Sequence, residues 1–151
     1  MTIRKASRLE IDYLLQLSGK VLKESSMGHM ENDIHTAYNM FLPFIQNGGY
    51  YLIDEENRRL KGWVLLGIDR YSMVDNTIGH ILQLYVFPRY RKAGVGRKLM
   101  KQAMKEFQAR GIKTAQLNVF AGNPAHILYK KLGFKEVSTI MELTLDKKDM
   151  S

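Results

Sequence analysis

Residues 78–120 constrain the fold more than any other stretch of this chain. Residues 78–87 are rich in branched and aromatic side chains, end at Pro88, and read as a strand. A basic loop follows, Arg91-Lys92-Ala93-Gly94-Val95-Gly96-Arg97, and opens directly into residues 94–110. That segment carries Leu99, Met100, Ala103, Met104 and Phe107 on one side and Lys98, Lys101, Gln102 and Lys105 on the other, the pattern of an amphipathic helix. Gly111 stops it, and residues 114–120 read as the next strand. Strand, crossover helix and strand make a βαβ unit, so the two strands are expected to be parallel neighbours or close to it. In such sheets ligands collect at the carboxyl ends of the strands.

The remaining segments fit around that unit. Residues 2–5 read as a short strand. Ser7 and Glu10 form a capping box ahead of a helix whose one face holds Ile11, Leu14, Leu15, Ser18, Val21 and Leu22. Ile34, Ala37, Tyr38, Phe41, Leu42 and Ile45 define a second helix, kinked or shortened by Pro43 and ended by Gly48 and Gly49. Residues 50–54 and 60–69 read as a hairpin, with Gly62 marking a bulge, and residues 70–77 as a loop. Residues 123–132 read as a short helix and 134–145 as a last strand. The expected fold is α/β (α+β), one domain over residues 1–151: a mixed, mostly antiparallel sheet with a central parallel pair and helices on both faces.

Charge separates the possible partners. The formal net charge is +8, from 23 Lys and Arg against 15 Asp and Glu. Residues 89–113 hold Arg89, Arg91, Lys92, Arg97, Lys98, Lys101, Lys105, Arg110 and Lys113 against Glu106 alone, so the excess belongs to the glycine loop and its helix. A diffuse polyanion binder would spread it more widely. The Lys-rich helix lacks interleaved aromatics and no helix-turn-helix or RNP pattern occurs, so nucleic acid is not the expected partner. Zero cysteines exclude thiol nucleophiles, Fe-S clusters and Cys-based zinc sites. No apolar run reaches the roughly 18 residues of a membrane span, and the first ten residues lack the apolar run of a secretion signal. A cytoplasmic protein without metal is expected.

The glycine loop reads as an anion site. Glycines let the backbone turn tightly, the first N–H groups of the helix point outward, and the helix dipole adds favourable potential. A P-loop spacing is absent, and a dinucleotide fingerprint would need a glycine where Leu99 stands. The strand before the loop ends Leu84-Tyr85-Val86-Phe87-Pro88. Later the chain reads Asn123-Pro124-Ala125-His126-Ile127-Leu128-Tyr129-Lys130-Lys131-Leu132-Gly133-Phe134.

With those two segments at that separation, the chain resembles the GNAT family of acetyl-CoA-dependent N-acetyltransferases. The resemblance implies that Leu84, Tyr85 and Val86 pair with the pantetheine arm, that Arg91, Lys92, Ala93, Gly94, Val95, Gly96 and Arg97 hold the pyrophosphate, and that Tyr129 protonates the departing thiolate. Asn123 would touch the cofactor, although it stands six residues before Tyr129 where the family has seven, so Gly122 takes the usual place. Its other reading is the cap of the helix that begins at Pro124. Asn118 and Phe120 alternate at the border of the site, with Phe120 read chiefly as core.

Acetyl transfer needs a neutral amine, a positioned thioester, donors for the oxyanion and an acid for the thiolate; it needs no covalent intermediate. The strand at 78–86 has no carboxylate. His80, on the strand face that strict alternation assigns to Leu84, is the catalytic base candidate on it, alongside Gln83 holding a water, His35, Glu24 or Glu31 acting from the helical connection, or bulk water. The resemblance further implies that the acceptor, a small-molecule or protein amine, is gripped by residues 24–33 and 71–77, where Glu24, Glu31, Asp33 and Asp75 would supply negative charge. Because pairing through the last strand is common in the family it resembles, a homodimer is expected. The alternative functions are an acyl-CoA sensor of the same fold without turnover and a basic nucleic-acid-binding module.

Overall fold

The computed structural model describes residues 2–71 and 76–146. Five strands form one sheet in the order of the chain: β1 (Ile3–Lys5), β2 (Tyr50–Glu56), β3 (Arg59–Tyr71), β4 (Asn76–Val86) and β5 (Thr114–Leu117). The first four pair antiparallel, and β4 pairs parallel with β5, joined by the crossover through α4. The helices are α1 (Ile11–Lys20), the single turn α2 (Leu22–Ser25), α3 (Ile34–Gln46), α4 (Val95–Ala109) and α5 (Ala125–Lys131).

Two apolar layers hold the helices to the sheet. On one face α4 and α5 cover Tyr50, Leu52, Val64, Leu66, Ile68 and Ile81 with Val95, Leu99, Met100, Phe107 and Tyr129. On the other, α1 and α3 cover Tyr51, Ile53, Trp63, Leu65 and Tyr85 with Leu14, Leu15, Ala37 and Phe41. The strict alternation along β2 and β3 explains the sorting, since successive side chains point to opposite faces. Trp63 is wholly buried, and its truncation to Ala would cost about 3 to 5 kcal/mol. Helix α1 passes α3 so closely that a Cβ on Gly19 would lie 2.7 Å from the Ile34 Cα.

Two bulges interrupt the sheet. One leaves Lys61 without a partner on β2, beside Gly62 as expected; Gly62 also approaches β4 so closely that a Cβ there would lie 2.4 Å from the Tyr85 carbonyl oxygen. The other falls in β4: Leu65 pairs with Gln83 and Leu66 with Ile81, so Leu82 is the extra residue. The antiparallel strands run further than expected, to Tyr71 and from Asn76, narrowing the connection to 72–75. The strand expected over residues 134–145 does not form within the chain, because no other strand pairs with it among the described residues.

Candidate functional site

β4 and β5 pair only from Ile78 with Thr114 to Ile81 with Leu117. Beyond that point β4 runs on to Val86 with no ladder on its β5 side, so the two parallel strands part and leave a wedge at their carboxyl ends. The head of α4 closes one end of it. A Cβ on Gly96 would lie 3.6 Å from Leu128 of α5, 3.7 Å from Val86 and 3.8 Å from Leu84, so the glycine loop, the end of β4 and α5 converge on one place. Of the residues singled out from the sequence, Leu84, Val86, Gly96 and the α5 segment bearing Tyr129 are brought together.

The loop is shaped for an anion. Lys92 (φ 62°) and Gly94 (φ 82°) are left-handed, which turns successive N–H groups to one side. Gly94 caps α4 with its carbonyl, which accepts from the Lys98 N–H at 3.0 Å. Among the described residues the backbone N–H groups of Lys92 through Arg97 find no acceptor. Lys92 and Arg97 flank them, exposed and without an ion pair among the described residues. Beside this loop a shallow cavity of about 370 Å³ is lined by Glu56, Asn57, Arg59, Lys61, Arg89 and Tyr90, which extends the positive surface.

Tyr129 sits in the α4 and α5 layer, almost wholly buried, with its ring edge-on to Phe134 at 6.0 Å. Burial pushes its phenol up to about 12. Its hydroxyl has no hydrogen-bond partner among the described residues, yet it is not sealed from solvent. A neutral phenol on α5, the helix that meets the glycine loop and the end of β4 through Leu128, can give a proton to an anion that develops within its reach.

Arg91 is already engaged. Its Nε donates to the Val86 carbonyl at 2.8 Å, its Nη2 lies 2.5 Å from the Glu24 carboxylate, and its guanidinium lies over the Tyr85 ring at 5.4 Å. The Tyr85 hydroxyl donates to Glu24 at 3.2 Å. Burial, and then the Glu24 charge, raise the Tyr85 phenol. The side chain of Arg91 thus ties α2 to the end of β4, while its loop presents backbone.

The connection between α1 and α3 spans the wedge. At one end it is held by the Glu24 knot, and at the other His29 stacks on Phe120 at 4.8 Å while Met27 approaches Gly122. Phe120 is therefore not core: it is partly exposed past the end of β5, and the imidazole of His29 is its partner. This bridge was not legible in the sequence, where only the small, polar composition of residues 25–30 marked the connection.

The base candidates separate. The bulge at Leu82 reverses alternation, so His80 lies on the α3 face, edge-on to Phe44 at 5.9 Å, whereas Leu84 packs on the α4 face. The shared face expected from strict alternation is thereby corrected. His80 pairs instead with Asp69, Nε2 to Oδ2 3.6 Å. Gln83 is buried and its amide is spent: Oε1 accepts from Trp63 Nε1 at 2.8 Å and Nε2 donates to the Ser18 carbonyl at 3.3 Å. Asp33 caps α3 through the His35 N–H and the Thr36 hydroxyl. His35 and Glu31 are exposed, and Asp75 lies outside the described residues. Glu24 is the carboxylate brought to the end of β4.

Asn118 is exposed just beyond β5. Asn123 uses its Oδ1 to accept the Ala125 N–H at 3.0 Å and its carbonyl to accept the His126 N–H, so it acts as the cap of α5.

Comparison with known proteins gives one family. The profile of the Acetyltransferase (GNAT) family matches residues 17–134. A protein of Sulfurisphaera tokodaii named N-alpha-acetyltransferase is 37% identical, over 97% of this chain and 87% of that protein. The [ribosomal protein bS18]-alanine N-acetyltransferase of Escherichia coli is 39% identical over 59 residues, 38% of this chain and 40% of its own length. The fold superposes on a predicted acetyltransferase with acetyl-CoA from Clostridium acetobutylicum with a TM-score of 0.74, at 22% identity and 95% coverage of both chains.

Proposed function

Because the chain belongs to the GNAT acetyltransferase family, we propose that it transfers the acetyl group of acetyl-CoA to the α-amine of a polypeptide by direct attack in a ternary complex. The observation that supports this reading is the meeting of the glycine loop, the end of β4 and α5: among the described residues the N–H groups at 92–97 are unanswered, β4 is unpaired on its β5 side at Leu84 to Val86, and α5 carries Tyr129. The N–H row, with Lys92 and Arg97, suits the pyrophosphate. The open side of β4 suits the pantetheine amides, which pair as an added strand would. Asn118, near the same opening, is a further candidate contact.

Tyr129 keeps its proton until a thiolate develops beside it, because burial disfavours the phenolate. Its raised value makes it a poor acid in water, but a thiolate formed in the same desolvated pocket is raised as well. The attacking nitrogen loses its proton as the C–N bond forms and the C–S bond breaks. Glu24 is best situated among the candidates to steer the amine and take that proton, being half-exposed and bound to Arg91 and Tyr85 at the end of β4. His80 stands on the other face and has no part in this scheme.

The α-amine is preferred over other amines because a relative that aligns over nearly the whole chain is named N-alpha-acetyltransferase. A cytoplasmic setting goes with that acceptor. The test is thiol release from acetyl-CoA with paired peptides. Peptides with a free first amine should release thiol, and the same peptides with that amine blocked and a lysine added should not. Equal release from the blocked lysine peptides, or release only with polyamines or aminoglycosides, would overturn the acceptor. Stabilisation by acetyl-CoA without release from any amine would leave a sensor.

A further inference from the structure

Helix α4 carries more positive charge than an anion at its head can use. Arg97, Lys98, Lys101 and Lys105 are all exposed. At 3.6 residues per turn they fall within an arc of about 100°, a stripe about 12 Å long. None has an ion-pair partner among the described residues. Glu106, the one acid of α4, lies on another side of the helix, where it accepts from Tyr50 at 2.8 Å and from Gln102 at 3.4 Å. Lys105 stands about 15 Å along the axis from Val95, too far to meet a phosphate held by the glycine loop.

A second group of cations lies on the same face of the sheet. The cavity of about 370 Å³ gathers Arg59, Lys61 and Arg89 around Tyr90, with Asn57 and Glu56. Tyr90 packs into the α4 layer, and its ring centroid lies 5.9 Å from Lys61 Nζ and 5.8 Å from the Arg89 guanidinium carbon. Glu56 answers Lys61 at 3.2 Å, whereas Arg59 and Arg89 are exposed and have no ion pair among the described residues.

We propose that this face, the α4 stripe together with the Tyr90 cavity, binds single-stranded RNA through its phosphates. Sequence-independent binding needs only cations along a backbone, so the want of aromatics along α4 excludes base readout there and nothing more. The fold supplies an aromatic beside the stripe: Tyr90 with Arg89 gives a ring and a guanidinium plane for an unpaired base, and the Asn57 amide suits a ribose hydroxyl. A lipid surface is the poorer match, since an interfacial helix needs an apolar face in the membrane and that of α4 is spent in the core. An acidic protein would need an apolar patch at the centre of its contact, and the large exposed apolar residues lie elsewhere. The α1 and α3 layer is on the opposite face of the sheet, so RNA held by α4 leaves the connection between those helices open. The inference rests on the unspent cations and the cavity, and does not depend on the acetyltransferase reading.

The test is fluorescence anisotropy of a labelled oligouridylate of about 20 nucleotides, longer than the site of a single-strand binding fold. The full chain is titrated in saturating acetyl-CoA, so that the glycine loop is not what the probe measures. Five phosphate contacts predict a slope of log affinity on log salt of about −3.5, a loss of about 10²-fold between about 50 and 200 mM. Lys101→Gln with Lys105→Gln should bring the slope to about −2 and weaken binding about tenfold, with the melting temperature and thiol release unchanged. Arg59→Gln with Arg89→Gln should act alike. No binding at 50 mM salt, displacement of the probe by acetyl-CoA, or undiminished binding by both variants overturns the proposal. So does equally tight binding of oligothymidylate, polyglutamate or phosphatidylglycerol vesicles.

Discussion

The Arg91 guanidinium stands 2.5 Å from the Glu24 carboxylate, joining α2, in the connection between α1 and α3, to the loop that heads α4. A pair this exposed contributes little to stability, about 0 to 1 kcal/mol. Its value lies in placement, since the same carboxylate accepts from Tyr85 at the end of β4. Glu24→Gln should keep a neutral acceptor there but lose the negative charge. We expect kcat/KM for the peptide to fall about 10²-fold, in the range of acid–base contributions. The stabilisation by acetyl-CoA should change little. Unchanged peptide kinetics would remove Glu24 from the reaction.

Tyr129→Phe removes a hydroxyl that has no hydrogen-bond partner among the described residues, so the variant should fold with stability within about 0.5 kcal/mol of the parent. Turnover should fall about 10²- to 10⁴-fold with acetyl-CoA affinity preserved. His80→Ala provides the contrast. It breaks a partly buried pair with Asp69 on the opposite face, and turnover should stay within about twofold, while a large loss would return His80 to the mechanism.

The two loop glycines should respond differently. Gly94 has φ 82° and open space around it, so Gly94→Ala meets strain and not a clash; the expected loss is about 1 to 2 kcal/mol, with distortion of the N–H row and weaker acetyl-CoA binding. A Cβ at Gly96 meets only ordinary contacts with Leu128, Val86 and Leu84. Gly96→Ala should therefore melt like the parent, whereas Gly96→Leu would press on all three. Thermal melts with and without acetyl-CoA separate the two cases.

These contrasts show what was legible in the sequence. The R-x-x-G-x-G entry, the amphipathic α4 and the hairpin could be read because each has a local signature: glycine conformation, helical period, alternation. The bulge at Leu82 could not, since no glycine or proline marks it and the register of Leu65 and Leu66 on the neighbouring strand creates it. It alone moved His80 to the wrong face. The stack of His29 on Phe120 joins segments far apart in the chain and has no local signal. The tail is the converse case: its alternation suggested a strand over 134–145, but a strand needs a partner, none pairs with it among the described residues, and residues 135–146 are exposed throughout.

Gln83 illustrates the same limit and yields a prediction on stability. Its amide bridges Trp63 Nε1 and the Ser18 carbonyl in a buried setting, so Gln83→Leu strands the indole N–H. The expected cost is about 1 to 3 kcal/mol. Denaturant melts should show that loss, with turnover per folded molecule retained. Reduced turnover at undiminished stability would instead restore a water-holding role.

The buried phenols set the alkaline limit. Burial holds Tyr129 up at about 12, and burial with the Glu106 carboxylate does the same for Tyr50. Tyr51 and Tyr85 are raised as well, chiefly by burial. Each stays neutral in the fold while its unfolded counterpart ionises near 10. Raised values mean that the contribution is complete below pH 10 and is lost as pH climbs toward 12. The melting temperature should therefore be insensitive to these groups up to about pH 10 and drop steeply above it, with phenolate absorbance appearing together with unfolding. Tyr129→Phe should soften that drop, because one of the raised phenols is gone. Phenolate absorbance from Tyr129 at pH 10 in the folded protein, measured as the difference from that variant, would contradict a buried neutral acid.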